Sequence, residues 1–374
     1  MNFGFTEEQE FLRTTARDFL AKECPMTVVR EISENEPSGY RPEIWAQMAE
    51  LGWLGLLIPE EYGGAGLGLV DLVVILEEIG RGLLPSPFQA NLQGTLAILR
   101  AGNETQRKEL LSGIAAGERI VSLAVTEEAG TEKADDLAAR AERADGGYRI
   151  TGSKLFVPHA LNADRLIVLA RTGDGGDGAF SFFLVDGTKT GVSMTPLQSM
   201  DLTSRIAEVR LDGAPAELLG EEGAGWRTWE WVRDRALVAL SAEAVGGSEK
   251  VLEDSVAHAK ERVQFGKPIG VHQAIKHKCA DMLILVESSK SVTYYAAWSA
   301  AEESDETPLA AAMAKAYTSD AYRQTSAENI QIHGGVGFTW EYDCHYYFKR
   351  AKAIEVTYGD PTEHRERVAQ LLKL

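Results

Sequence analysis

The sequence predicts an α+β multidomain protein: a helical N-terminal domain over about 1–120, a β domain over about 121–222 and a helical C-terminal domain over about 223–374. Three observations predict it. Apolar residues recur at helical spacing through the first part. The middle holds short runs rich in β-branched and aromatic residues, separated by Asp-Gly and Gly-Gly turns. Helical periodicity then returns over spans far longer than a strand.

The elements follow in order. Thr6-Glu7-Glu8-Gln9 has capping-box spacing, and Phe11, Leu12, Ala16 and Leu20 continue a helix from it. A second helix is expected over about 42–51. Gly52 to Gly64 is apolar and ends at Pro59 and the Gly63-Gly64 pair, which predicts a buried, turn-rich segment. Further helices are expected over about 69–81 and 89–101, the latter after Pro85 and Pro87, with a shorter one after Glu104. Strands are expected at 148–152, 165–170, 180–185 and 206–211. Asp145-Gly146-Gly147, Gly173-Asp174-Gly175-Gly176 and Asp212-Gly213 form the turns. This reads as a small all-β barrel or sandwich. Long helices are expected over about 226–259, 272–303 and 308–332.

Composition narrows the partners. The 374 residues are 44% hydrophobic and 25% charged, as in an ordinary soluble globular protein. A net charge of -18 argues against nucleic acid, whose phosphates require Lys and Arg clusters. Cys24, Cys279 and Cys344 are widely spaced, so neither a disulfide framework nor a metal site is expected, and a reducing cytoplasm fits. Met1-Asn2-Phe3-Gly4-Phe5 has no signal-peptide pattern, and no uncharged apolar run is long enough to span a membrane.

Late in the chain, Gln331-Ile332-His333-Gly334-Gly335-Val336-Gly337-Phe338-Thr339 interrupts a helix. Alone it reads as a helix stop, or as a backbone able to approach a flat or charged ligand. Its company points further. Leu51-Gly52 to Gly64, Glu77-Glu78-Ile79-Gly80-Arg81, Leu123-Ala124-Val125-Thr126-Glu127, Gly152-Ser153-Lys154-Leu155-Phe156-Val157 and Arg262-Val263-Gln264-Phe265-Gly266-Lys267-Pro268-Ile269 precede it. In this order, over essentially the whole chain, they resemble the acyl-CoA dehydrogenase family. The resemblance implies a C-terminal four-helix-bundle domain, FAD as cofactor and an acyl-CoA thioester as substrate. It also implies an electron-transferring flavoprotein as electron partner, and a tetramer built from one kind of subunit or shared with a related one.

The resemblance assigns residues to FAD. Leu123, Val125 and Thr126 match the flavin-edge contacts. Phe156 stands where the family often carries a ring-stacking tryptophan, although burial in a strand would equally explain an aromatic there. Arg262 would be an unremarkable surface arginine alone, but matches the residue that reaches the FAD pyrophosphate of a neighbouring subunit. Gln264, Phe265, Ile269 and Gln273 follow in the same cofactor-facing run. Gln331, Gly334 and Gly335 match the backbone along the adenine side, and Asp360 closes the set.

The substrate side departs from the family. There a glutamate removes the α-proton while the β-hydrogen leaves as hydride. Tyr358 occupies the usual base position, and tyrosine, ordinarily titrating at about 10, is a poor base at neutral pH. The alternative family position falls on Ala236. Glu243 lies seven residues on, about 10 Å further along the helix axis, and reads as structural. Asp234 and Glu355 are weaker candidates. Glu128-Ala129-Gly130-Thr131-Glu132-Lys133 and Pro158-His159 replace substrate-holding family segments. His159 reads as a loop residue, His333 as packing and hydrogen bonding, and Tyr346-Tyr347-Phe348 as packing. The leading expectation is α,β-dehydrogenation of an acyl-CoA, either by this chain as a homo-oligomer or with it as one subunit of a heteromer whose partner supplies the base. A flavin oxidase, monooxygenase or desulfinase on the same fold, and a non-catalytic FAD-holding subunit, are the alternatives.

Overall fold

The computed structural model describes residues 5–131, 133–144, 146–173 and 175–374. In chain order the elements are α1 (Glu7–Glu23), α2 (Met26–Asn35), α3 (Pro42–Glu50), α4 (Leu69–Gly82), α5 (Phe88–Ala101) and α6 (Glu104–Ala115). Then come β1 (Val121–Ala124), β2 (Arg140–Ala144), β3 (Gly147–Pro158), β4 (Arg165–Arg171), β5 (Phe180–Val185), β6 (Val192–Leu197) and β7 (Ile206–Leu219). α7 (Gly225–Glu261), β8 (Val263–Gln264), β9 (Lys267–Pro268), α8 (Gln273–Ala301), α9 (Thr307–His333), α10 (Cys344–Val356) and α11 (Pro361–Leu371) complete it. They gather into two compact units. The helical unit takes the chain to Glu31, Leu69–Leu84 and Asp234–Leu374, and the β unit takes Ile32–Gly68 and Pro85–Arg233.

In the helical unit, the Thr6 hydroxyl accepts from the Gln9 amide and the Gln9 side chain accepts from Thr6, completing the expected capping box of α1. α1 grips α4 through charge: Arg13 pairs with Glu77 at 3.0 Å and Arg17 with Glu78 at 2.7 Å. α9 packs against α8, α10 and α11. α4 and α7 cross with glycine on both sides. A Cβ at Gly80 would stand 2.0 Å from the Glu243 carbonyl oxygen, and one at Gly246 would stand 1.8 Å from that of Glu77.

The side chain of Glu77 is buried at this crossing. Desolvation pushes its carboxyl from 4.5 up to about 7, against the opposing pull of Arg13 and a hydrogen bond from Tyr294. The folded value lies above the unfolded one. Its stabilising contribution is therefore full below about pH 4.5 and is lost as pH rises through about 7. Glu77→Gln is expected to remove this slope. Between pH 5 and 8 the wild type should lose about 2.5 kcal/mol relative to the variant, read from urea unfolding at both pH values.

The β unit holds a seven-stranded sheet in the order β1-β4-β2-β3-β7-β5, with β6 on β7. A β4–β5 pairing brings the ladder back on itself. β1 and β2 run parallel to β4 and the other pairs are antiparallel. The expected all-β barrel or sandwich is thus a closed sheet of mixed direction around Ile150, Leu166, Val168, Phe183, Val209 and Leu211. β2 reads Arg-Ala-Glu-Arg-Ala and escapes a propensity reading, because pairing with β3 decides it. β6 is an edge strand that carries Pro196, also weak in sequence. The segment from Gly52 to Gly64 is turn-rich, with Trp53, Leu56, Ile58 and Tyr62 buried.

Met1–Gly4, Glu132, Asp145 and Asp174 lie outside the described residues, and with them parts of the opening pentapeptide, the 128–133 segment and the expected turns at 145–147 and 173–176. Among the described residues, no helix is long and apolar enough to cross a membrane, and no group of three or more His, Cys, Asp or Glu is placed to hold a metal.

Candidate functional site

The β unit presents one set of the assigned residues. Leu123 and Val125 are buried and Thr126 is half-buried, in the segment that leaves β1. Its carbonyls are held from β3: the Leu155 amide donates to Thr126 at 2.9 Å, and Lys154 Nζ to Val125 at 3.0 Å. Lys154 Nζ also meets Glu127 Oε1 at 2.6 Å. Glu127 in turn accepts from the amides of Ala138 at 2.6 Å and Ala139 at 3.1 Å. Burial pushes the Lys154 ammonium down from its usual range, and Glu127 opposes the shift.

Phe156 follows directly. Pairing of β3 with β7 is irregular between Lys154 and Val157, and Phe156 sits there at φ +55°. It is 52% exposed, so it is not a core phenylalanine; the bulge turns it out of the sheet. His159 is buried, with its amide donating to Arg205 at 2.8 Å and Nδ1 3.0 Å from Asn162 Nδ2, which fits the loop role expected of it.

The helical unit presents a second set. Arg262 is exposed at the end of α7, and its carbonyl accepts from Ile269 at 2.8 Å across the β8–β9 hairpin. Phe265 and Gly266 form the tip at φ +51° and +76°, and Phe265 is 94% exposed. Gln264 and Gln273 are exposed and Ile269 half-buried. Gln331 is exposed near the end of α9. Cβ atoms at Gly334 or Gly335 would meet nothing within 4 Å, whereas one at Gly337 would stand 2.6 Å from the Ile330 carbonyl oxygen. The first two glycines leave open space for a ligand, and the third serves packing. His333 Nδ1 lies 2.8 Å from the Asn329 carbonyl and the ring stacks on His258 at 4.1 Å, as a packing residue.

A third arrangement, in the same unit, lies behind α10. Tyr358 is a non-glycine residue at φ +56°, and Gly359 follows at φ +100°. Buried Lys315 donates to the carbonyls of Glu355 at 3.1 Å and Gly359 at 2.9 Å. His364 Nε2 lies 2.9 Å from the Tyr358 carbonyl. Asp360 caps α11, accepting from the amides of Thr362 at 2.7 Å and Glu363 at 2.9 Å. Its carboxylate therefore has a local structural task beside the cofactor role assigned to it. Lys315 escaped the sequence reading. The signal was there: it falls on the face shared by buried Ala311, Thr318 and Tyr322.

The carboxylates considered as bases are all engaged. Glu243 is buried, with Arg350 Nε at 2.6 Å and Nη2 at 2.5 Å. Asp234 pairs with Arg367 at 2.6 Å. Glu355 pairs with Lys352 and, at 3.3 Å, with Arg323.

Three family models match the chain in sequence: the acyl-CoA dehydrogenase N-terminal domain over 6–118, the middle domain over 122–213 and the C-terminal domain over 223–373. The chain belongs to the acyl-CoA dehydrogenase family. Members of the acyl-CoA dehydrogenase family are flavoprotein oxidoreductases acting on CH–CH donors, and the chain has the family's three-domain fold. It is 32% identical to acyl-CoA dehydrogenase IpdE2 of Mycolicibacterium smegmatis, over 97% of this chain and 98% of that one. Subunit CarC of the caffeyl-CoA reductase–Etf complex of Acetobacterium woodii is 30% identical over 95% of each chain. Butyryl-CoA dehydrogenase from Megasphaera elsdenii superposes with a TM-score of 0.91 at 27% identity over 100% of both chains.

Proposed function

We propose that this chain is an FAD-dependent acyl-CoA dehydrogenase subunit acting across the Cα–Cβ bond of an acyl-CoA thioester. The observation that supports it most is the open presentation of the FAD-assigned residues in a chain matched throughout by this family. Arg262 and Gln331 are exposed, Gly334 and Gly335 leave space, and Phe156 is turned out of its sheet. Leu123, Val125, Thr126 and Phe156 meet the flavin edge and ring. Arg262 grips the pyrophosphate of a neighbouring subunit's FAD as a planar fork, with Gln264, Phe265, Ile269 and Gln273 alongside. Backbone at Gln331, Gly334 and Gly335 follows the adenine side. FAD, when bound, supplies the hydride acceptor.

The exposed Phe265, together with Phe338 at 77% exposure, supports burial in a tetramer, homomeric or shared with a related subunit. The membership of CarC in an Etf complex supports an electron-transferring flavoprotein as the electron partner. A cytoplasmic setting is part of this reading.

Tyr358 occupies the base position, and Glu243, Asp234 and Glu355 are committed to ion pairs. This supports a partner chain as the source of the base. Purified alone, the protein is expected to hold FAD yet to bleach it only slowly with butyryl-CoA. Tyr358→Glu is expected to raise that rate about a hundredfold, within the range for a positioned general base. Brisk bleaching by the wild-type homo-oligomer would refute the missing-base reading. An unchanged rate in Tyr358→Glu would place the base position elsewhere.

A further inference from the structure

The Lys154–Glu127 pair is an expensive feature for the interior of a sheet. Both side chains are buried, Lys154 completely. Two charges taken out of water cost more than an apolar pair of the same volume, so stability alone gives little reason for them. Their contacts suggest another. Lys154 Nζ reaches Val125 as well as Glu127, and Glu127 reaches the amides of Ala138 and Ala139. The pair thus ties β3 to the Val125–Glu127 segment and to the chain at 138–139. The Leu155 amide adds a bond to the Thr126 carbonyl. One residue further on, Phe156 takes its left-handed backbone and turns outward. A left-handed phenylalanine persists only where its surroundings over-determine it.

We propose that Lys154 and Glu127 form a positioning pair that fixes Val125–Thr126 and Phe156 at one separation, so that the edge and face of a flavin are met together. The inference rests on the FAD reading and deepens it. Neither side chain touches the cofactor; each acts through the backbone it holds. Exchange of the pair for apolar residues should therefore leave a folded if less stable protein, because the Ala139 amide loses its acceptor, and disturb the flavin.

The test uses FAD-loaded protein and the double variant Lys154→Met/Glu127→Leu. The expected result is a folded protein with a lowered thermal midpoint, since the buried Ala139 amide loses its acceptor, together with at least a tenfold weaker FAD dissociation constant and a displaced visible absorption band. A folded double variant with wild-type affinity and band overturns the proposal. Glu127→Gln guards against a double variant that fails to fold, because it keeps one acceptor oxygen for Lys154. Its affinity should fall about threefold; wild-type affinity and band in Glu127→Gln overturn the proposal as well. A wild-type protein that takes up no FAD overturns the reading beneath it, and the proposal with it.

Discussion

Arg350→Ala is expected to destabilise the protein by about 3–5 kcal/mol, the range for leaving one partner of a buried ion pair alone. Glu243 is 1% exposed in the middle of α7, and Arg350 supplies both Nε and Nη2 to the same carboxylate oxygen. Without the guanidinium, a buried carboxylate loses its paired cation. Glu243→Gln should cost less, about 1–2 kcal/mol, because its amide oxygen still accepts from Arg350. Urea unfolding at pH 7 reads both. The same pair of variants bears on catalysis. A structural Glu243 predicts that activity follows the folded fraction. Loss of turnover in a fully folded Glu243→Gln would make it the base.

Gly246→Ala is expected to cost about 3 kcal/mol, at the upper end of the range for overpacking. The added methyl would stand 1.8 Å from the Glu77 carbonyl oxygen. That neighbour is α4 backbone, which has no rotamer to change. A Cβ at Gly80 would likewise stand 2.0 Å from the Glu243 carbonyl oxygen, so the helices are close on both sides and relief requires them to separate. Alanine's better helix propensity returns only about 1 kcal/mol. Gly335→Ala is the control: a Cβ there meets nothing within 4 Å, and the thermal midpoint should barely move.

What was legible in the sequence was local. The hydroxyl and amide of Thr6 and Gln9 sit three residues apart, so their capping box needs no knowledge of the fold. The periodicity of α7, α8 and α9 is likewise carried within each helix. The segments from Leu123 to Glu127 and from Gln331 to Thr339 were legible as a resemblance, since their order along the chain is itself informative. What stayed hidden was made by distant partners. Glu243 and Arg350 are 107 positions apart, and neither alone indicates the other. Lys315 and the loop it holds are 40 and 44 positions apart. Phe156 read as core or cofactor contact with equal ease, because a strand position does not reveal a bulge. β2 lost its helical composition to a neighbouring strand.

The bonds around Tyr358 that fix its backbone reach main-chain atoms. Lys315 and His364 hold carbonyls of Glu355, Gly359 and Tyr358, and Asp360 holds the amides beyond. These particular bonds do not depend on which side chain position 358 displays. Such a position can change its chemistry over evolutionary time without the loop being rebuilt. If position 358 is the base position, as proposed above, a single substitution there would suffice to separate a subunit that carries the base from one that holds the cofactor.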